Sequence, residues 1–443
     1  MAKLEKTQKS LLIVNVLRVI LDLFTSTFLT SHILSLSPDN IFGTGLLNIG
    51  IFYVSQYIVF FLVYFTLSYF IDKSNRVSFL RIGILINGLL LVLLAFFGET
   101  ISSWIVLAGA IVGVSQAFYF ASYNVMKNEL NGRVSIKTYN LSATILSNIA
   151  KMIVPTILGY LIEATTYSYV AVYVVIIAII QFITTFFINS IKPTGAKFEP
   201  FGFIKFLQTD KESWNKIKYT YYNSLIAGVK TTYSIIVTIL TIYTFKTDLS
   251  LGVFTSIFSL LTMGLLMLYK KGDSNPKVNK KVIYCLLGVF PVICCLAMVF
   301  WLNNITLVIF NFSLTVIVYF TDYLGGSERD AIIKNLNKYE YIAEHQTMVE
   351  GCLVAGRIVA FAVFSLVSMF ASLTAFKILL VCIVVLNPLK FYYMYMQRKV
   401  RKEFELKNAN LVATETEVTK TDAEDIKQDE LDNLNNETST EEK

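Results

Sequence analysis

The chain has 443 residues, of which 55% are hydrophobic, 14% aromatic and only 16% charged, with a mean hydropathy of +0.60. So apolar a composition over this length excludes a water-soluble globular protein and identifies an integral membrane protein. The net charge of +7 divides unevenly: residues 408–443 hold eleven acids against three lysines, a balance of −8, which leaves +15 on the rest.

A membrane-crossing helix needs about 20 predominantly apolar residues. The hydropathy predicts about twelve such spans, at 11–36, 46–71, 79–97, 104–126, 139–162, 169–188, 219–245, 251–269, 282–302, 305–323, 348–370 and 373–395. The loops cross-check them. Those after odd-numbered spans hold one cation, Lys246, with Lys377 just inside the last span. Those after even-numbered spans carry Lys73, Arg76 and Arg81, then Lys127, Arg133 and Lys137, the lysines of 192–218 and 270–281, and Arg329, Lys334 and Lys338. Because cations concentrate on the cytoplasmic side, both termini are expected in the cytoplasm, with the basic loops against anionic lipid.

The first span contains Arg18 and Asp22 and lacks a small-residue cleavage site, so it is not expected to be a removable signal peptide. All five cysteines, Cys285, Cys294, Cys295, Cys352 and Cys382, fall in or at the ends of spans and read as small apolar residues. Trp104 and Trp301 stand at the outer ends of spans, as interfacial anchors do. The longest internal loop, 192–218, interleaves Phe198, Phe201, Phe203, Phe206, Leu207 and Trp214 with lysines, the pattern of an interfacial amphipathic helix. The expected organisation is an all-α polytopic protein with a six-helix bundle over 1–191, a cytoplasmic linker over 192–218 and a second six-helix bundle over 219–397. A cytoplasmic tail follows over 398–443, acidic and disordered from 408.

Residues 68–77 read Ser-Tyr-Phe-Ile-Asp-Lys-Ser-Asn-Arg-Val, just after the second span. This segment resembles the G-x-x-x-D-[RK]-x-G-[RK]-[RK] loop of the major facilitator superfamily, whose members join two six-span halves by a cytoplasmic linker. Asp72, Lys73 and Arg76 match it, while Ser68 and Asn75 replace the glycines and Val77 the last cation. An Asp beside cations at a helix end can exchange partners between halves and bias one conformation. Residues 154–159, Val-Pro-Thr-Ile-Leu-Gly, resemble a fragment of the G-P-x-x-G-G motif of the family's exporters, and 269–273 is a faint copy of the first loop. The fourth span, 104–126, has no cation where proton-coupled members place an Arg.

Four cations lie well inside spans: Arg18, Lys151, Lys230 and Arg357. Under a pseudo-two-fold relating span one to seven and five to eleven, Arg18 corresponds to Lys230 and Lys151 to Arg357, at offsets of 212 and 206 residues. This would set two symmetric pairs about a shared cavity. Polar residues accompany them at helical spacing: Asn15 and Asp22, Thr144 and Asn148, Asn223 and Ser234. Gln116, Tyr119 and Tyr123 form a polar-aromatic stripe on the fourth span, and Asn311, Thr315 and Asp322 line the tenth. The deep acids are Asp22, one turn from Arg18, and Glu350, two turns from Arg357, so Lys151 and Lys230 have no evident acidic partner in the sequence. Surplus buried positive charge favours an anionic ligand. Cations on spans one and seven are also similar to those of the superfamily's organophosphate exchangers. The alternative is that these charges are inter-helix struts. Asp22 is the candidate protonation site, while His32 and His345 lie near span boundaries.

The expected function is secondary active transport by alternating access, with efflux of an organic anion or amphiphile ahead of uptake or exchange of a phosphorylated or carboxylate nutrient. A different class, a non-transporting membrane sensor or assembly partner acting through its tail, stays open. No G-x-x-x-x-G-K-[ST] loop, metal-ligand cluster or nucleophile–base set is readable, so neither enzyme nor cofactor is expected. Candidate cavity residues are Arg18, Asp22, Gln116, Tyr119, Lys151, Lys230, Asn311 and Arg357; candidate coupling or gating residues are Asp22, Asp72, Lys73, Arg76 and Glu350. The expected partners are a small-molecule substrate, the lipid bilayer and a coupling proton or counter-solute, with no nucleic acid. A monomer is expected, and the low-Cys, Lys-, Ile- and Asn-rich usage fits a bacterial plasma membrane.

Overall fold

The computed structural model describes residues 5–37, 41–71, 73–130, 133–189, 197–245, 247–273, 279–335 and 341–403. Asp72 and the acidic tail therefore lie outside the described residues, as do the side chains of Ser234 and Asp322. Among the described residues the chain is helical and without strands. The helices are α1 (Lys6–Ser35), α2 (Leu46–Ser68), α3 (Arg76–Phe97), α4 (Ile105–Leu130), α5 (Arg133–Ala164), α6 (Tyr167–Thr184), α7 (Pro200–Thr209), α8 (Lys211–Phe245), α9 (Asp248–Asp273), α10 (Lys280–Phe300), α11 (Asn304–Asn335), α12 (Ile342–Ser368) and α13 (Leu373–Val384).

Nine helical stretches among the described residues, α1–α6, α10, α12 and Leu373–Glu403, of which α13 is the first part, are long and apolar enough to cross a membrane. The apolar segments Gly252–Leu265 in α9 and Asn304–Val318 in α11, together with α8, occupy the other three expected spans. The chain is thus an all-α polytopic membrane protein of about twelve transmembrane helices. Its outer surface confirms the solvent, since Leu62 (61%), Leu85 (54%), Ile293 (60%) and Val359 (60%) stand exposed on long helices. Hydrocarbon, unlike water, carries no penalty for such a surface but requires every backbone group to be bonded internally, which helices achieve.

α1 is not uniform. At Phe24–Phe28 it widens into one π-turn before resuming as Leu29–Ser35. The sequence Phe-Thr-Ser-Thr-Phe explains this: Thr25, Ser26 and Thr30 hydroxyls donate back to the Leu21, Asp22 and Ser26 carbonyls at 3.1, 2.5 and 2.6 Å. Hydroxyls that compete for those acceptors loosen the backbone ladder.

Within 192–218, Phe201, Phe203, Phe206 and Leu207 lie on one short helix, α7. α7 begins with Pro200 in its first turn and ends at Thr209, and Trp214 belongs to α8. The break falls at Asp210, whose carboxylate accepts from the Glu212 and Ser213 backbone N–H at 3.1 and 3.2 Å and from Ser213 Oγ at 2.6 Å. These bonds, the Ser213 hydroxyl first, hold the Asp210 carboxyl below its usual pKa. α7 buries Phe203 and Leu207 against Ile217, Tyr221 and Val349, and leaves Phe201 78% exposed.

Helices α1–α6 pack on one another, α1 against α5 and α6, α2 against α4, and α3 against α4 and α6. Helices α8–α13 do likewise, α8 against α12, and α11 against α8, α9 and α10. The two sets meet along α2 and α12, along α5 and α9, and where residues 24–35 of α1 touch α8. At the end that carries the N-terminus, Ser68 and Thr347 hydroxyls lie 2.9 Å apart and Asn124 Nδ2 donates to Glu350 Oε1 at 3.4 Å. Toward the far end, Thr156 Oγ1 bonds Ser256 Oγ at 2.7 Å. Residues up to Gln397 form one compact unit. Beyond it, residues 398–403 are helical, with Lys399 Nζ 3.8 Å from Glu403 Oε1.

α8 and α12 approach through a reciprocal pair of glycines. A Cβ on Gly228 would stand 2.0 Å from the Leu353 carbonyl oxygen, and one on Gly356 would stand 2.1 Å from that of Leu225. Backbone cannot yield as a flexible side chain can, so Gly228→Ala should lower the melting temperature of the detergent-purified protein through an overpacking cost of about 1–3 kcal/mol. Gly88→Ala, whose Cβ meets nothing within 4 Å, should leave melting unchanged or raise it, because alanine favours helix over glycine by about 0.5–1 kcal/mol.

Candidate functional site

Arg18 lies at the middle of the first set of helices with 1% of its surface exposed. Its Nε is 2.9 Å from Asp22 Oδ1, the ion pair that an i, i+4 spacing allows. Its Nη1 donates to Ser115 Oγ at 3.3 Å, and Ser115 donates in turn to the Gly83 carbonyl at 2.9 Å. That relay requires α3 and α4 to touch: a Cβ on Gly83 would stand 2.7 Å from Tyr119 N and 2.9 Å from the Ser115 carbonyl oxygen. The Arg18 guanidinium also lies 5.1 Å from the centre of the Tyr119 ring, while its Nη2 has no hydrogen-bond partner. Tyr119 stacks on Tyr123 with centroids 5.6 Å apart, and Tyr123 Oη is 3.2 Å from Tyr139 Oη.

Asp22 keeps 33% of its side chain exposed. Lys151 of α5 lies within electrostatic reach of it, so this one carboxylate faces two cations. Pro155, one turn beyond Lys151, has no N–H to give the Lys151 carbonyl, which loosens α5 beside the charge. Tyr57 of α2 lies in the field of both Asp22 and Arg357. The Arg357 guanidinium stands 4.8 Å from the Tyr57 ring centre, and its Nε donates to Thr231 Oγ1 at 3.4 Å. Tyr57 stacks in turn on Phe361, centroids 5.7 Å apart. Asp22 of the first helix set, itself facing Arg18 and Lys151, and Arg357 of the second thus both act on Tyr57. Sequence reasoning missed Tyr57, Ser115 and Thr231. A tyrosine beside Gln56 in the middle of an apolar span was the one available signal.

The other candidates have separate surroundings. Lys230, 7% exposed, has its ammonium 5.7 Å from the Phe391 ring, and Gln116 Oε1 accepts from Gln56 Nε2 at 2.9 Å. Asn311 Nδ2 donates to Thr241 Oγ1 at 2.8 Å, joining α11 to α8. Glu350 meets Asn124. Arg76 is fully buried, bonds the Ile71 carbonyl at 3.3 Å and pairs with Glu129, whereas Lys73 is exposed.

Asp22→Asn would leave the Arg18 guanidinium buried without its counter-charge. A fully buried pair loses about 3–5 kcal/mol in this way, and the partial exposure of Asp22 reduces that cost. Thermal melting should accordingly place the double variant Arg18→Met/Asp22→Asn above Asp22→Asn alone. Strictly additive effects of the two substitutions would contradict the coupling.

Comparison with known proteins places these features. A curated relative, the uncharacterized protein YqgE of Bacillus subtilis (strain 168), is 34% identical over 91 residues, an alignment covering 20% of this chain and 21% of that protein. Among solved structures, a bacterial homologue of the iron transporter ferroportin in an inward-facing state superposes with a TM-score of 0.63 at 13% identity, covering 89% of this chain and 99% of that one. The human organic anion transporter MFSD10 (TETRAN) gives a TM-score of 0.52 at 13% identity, covering 88% and 99%. The sequence model of the Major Facilitator Superfamily matches residues 19–325, and the chain belongs to that superfamily of membrane transporters.

Proposed function

We propose that this transporter is a secondary active exporter of organic anions, working by rocking of α1–α6 against α8–α13 about the central charged cluster. The observation that carries the reading is the charge there: Arg18 and Lys151 both face the Asp22 carboxylate, and Arg357 stands over Tyr57, which also lies in the field of Asp22. An interior with net positive charge is stabilised by an anion and repels cations. Tyr57 and Tyr119 add aromatic faces against which an amphiphilic anion can pack. MFSD10, similar in fold, is named an organic anion transporter. Export is favoured over uptake by the Pro155 and Gly159 fragment, with Pro155 seated against Gly252 of α9. Both termini are assigned to the cytoplasmic side of a bacterial plasma membrane on the loop charges. Asp22 is the proposed proton acceptor for coupling, facing Arg18 and Lys151 from the open side of the pair.

The test is uptake and counterflow in proteoliposomes against anionic, cationic and neutral solutes. Anions alone should move. Lys151→Gln and Arg357→Gln should each reduce their counterflow about tenfold or more, the loss of one charge-assisted contact, with melting temperature retained. Transport of cations or neutral lipophiles that survives both substitutions would overturn the reading. Asp22→Asn should abolish proton dependence, and deletion of 408–443 should leave transport intact; failure of the latter would favour a tail-mediated sensor.

A further inference from the structure

We infer that the linker between the two helix sets is a clasp across their seam, one that stays with α8 and α12 and lets go of α2 at Phe198 when that end of the protein opens. The release rests on the rocking motion proposed above, whereas the closed clasp stands on the contacts alone.

Two consecutive residues carry it. Phe198, only 8% exposed, packs edge-on against Tyr69 and Phe65 at the end of α2, with ring centroids 4.9 and 6.2 Å away and interplanar angles of 78° and 77°. The next residue faces the other set: the Glu199 backbone N–H donates to Glu344 Oε1 of α12 at 2.7 Å. A plain tether between two bundles needs neither contact.

Both contacts flank the direct bond between the sets. Tyr69 follows Ser68, and Glu344 stands three residues before Thr347, whose hydroxyl lies 2.9 Å from that of Ser68. A hydroxyl pair adds little to closure, because water can replace either partner. The burial of Phe198 beside it supplies an apolar contribution that water opposes.

The two grips are unequal. Toward the second set, α7 buries Phe203 and Leu207 against α8 and α12, and Phe203 and Phe206 stand 5.3 and 5.7 Å from the Tyr341 ring. Toward the first set, the ring contacts described for the linker are those of Phe198. When the sets part the weaker grip yields, so α7 travels with α8 and α12.

The experiment has two arms. Hydrogen exchange of the detergent-purified full chain reads the closed clasp without any solute. Phe198→Ala should speed amide exchange over 62–69 and 342–349 about tenfold or more, the equilibrium factor for losing one buried aromatic contact. Exchange over 46–53 and 361–368, at the other end of the same seam, should stay unchanged. Phe198→Leu, which keeps an apolar side chain, should give a smaller acceleration, and Phe201→Ala, which removes a ring 78% exposed on the outer face of α7, none. Unchanged exchange in Phe198→Ala, or equal acceleration at both ends of the seam, would overturn the clasp.

The second arm is anion counterflow after bismaleimide cross-linking, in a chain whose five native cysteines are replaced by alanine. A link between Tyr69→Cys and Phe198→Cys should arrest counterflow, whereas one between Phe206→Cys and Tyr341→Cys should leave it at the unlinked rate. Counterflow that survives the first link, or arrest by the second, would overturn the release. Absence of counterflow in the unlinked wild type would instead count against the transport reading, and exchange would still decide the clasp.

Discussion

A guanidinium held in the interior of a membrane protein is the constraint around which the first helix set is arranged. Arg18 cannot be left in an apolar setting without a counter-charge and donors' partners. Asp22 supplies the charge, Ser115 a hydroxyl and Tyr119 a π-face, from three directions. Each partner imposes a packing requirement of its own. Ser115 reaches Arg18 only because glycine at position 83 lets α3 lie against α4, and α1 is fixed in azimuth by Gln181 Nε2, which donates to the Val14 carbonyl at 2.9 Å. A single ion pair thus sets distances among α1, α3, α4 and α6.

Arg357 solves the same problem differently. It rests over Tyr57 of the other helix set and bonds Thr231, brought near by the Gly228–Gly356 approach of α8 and α12. Cation–π contact and one hydroxyl replace a carboxylate. Such a contact is weaker than a charge pair, so Arg357 is held less firmly than Arg18. Lys151, sharing Asp22 with Arg18, sits between these extremes.

The spans and their approximate ends were legible because the bilayer as solvent writes itself into composition: long apolar runs with charge only at their ends. Arg18 with Asp22 was legible as well, since four residues on one helix return a side chain to the same face. The partners that come from other helices were not. Ser115 is 97 residues from Arg18 and Thr231 is 126 from Arg357, and no local pattern encodes which faces of two apolar helices will meet. The break inside the linker was not legible either: Phe198 to Trp214 looks like one amphipathic run until Asp210 is recognised as the cap that starts a new helix.

The wide turn in α1 separates two jobs that one regular helix could not do together. Below it, residues 6–23 lie on α5 and α6; above it, residues 24–35 also reach α8. A π-turn adds one residue to a helical circuit, so everything beyond it is rotated by about 100° relative to an uninterrupted α-helix. The register of His32 against Tyr167 and of Arg18 against Ser115 can be satisfied at once only with that extra residue present. Chain length between Phe24 and Phe28 is therefore under tighter constraint than side-chain identity. Substitutions there alter how firmly the turn is held, whereas an insertion or deletion of one residue turns one end of α1 away from its neighbours, whichever residue is gained or lost.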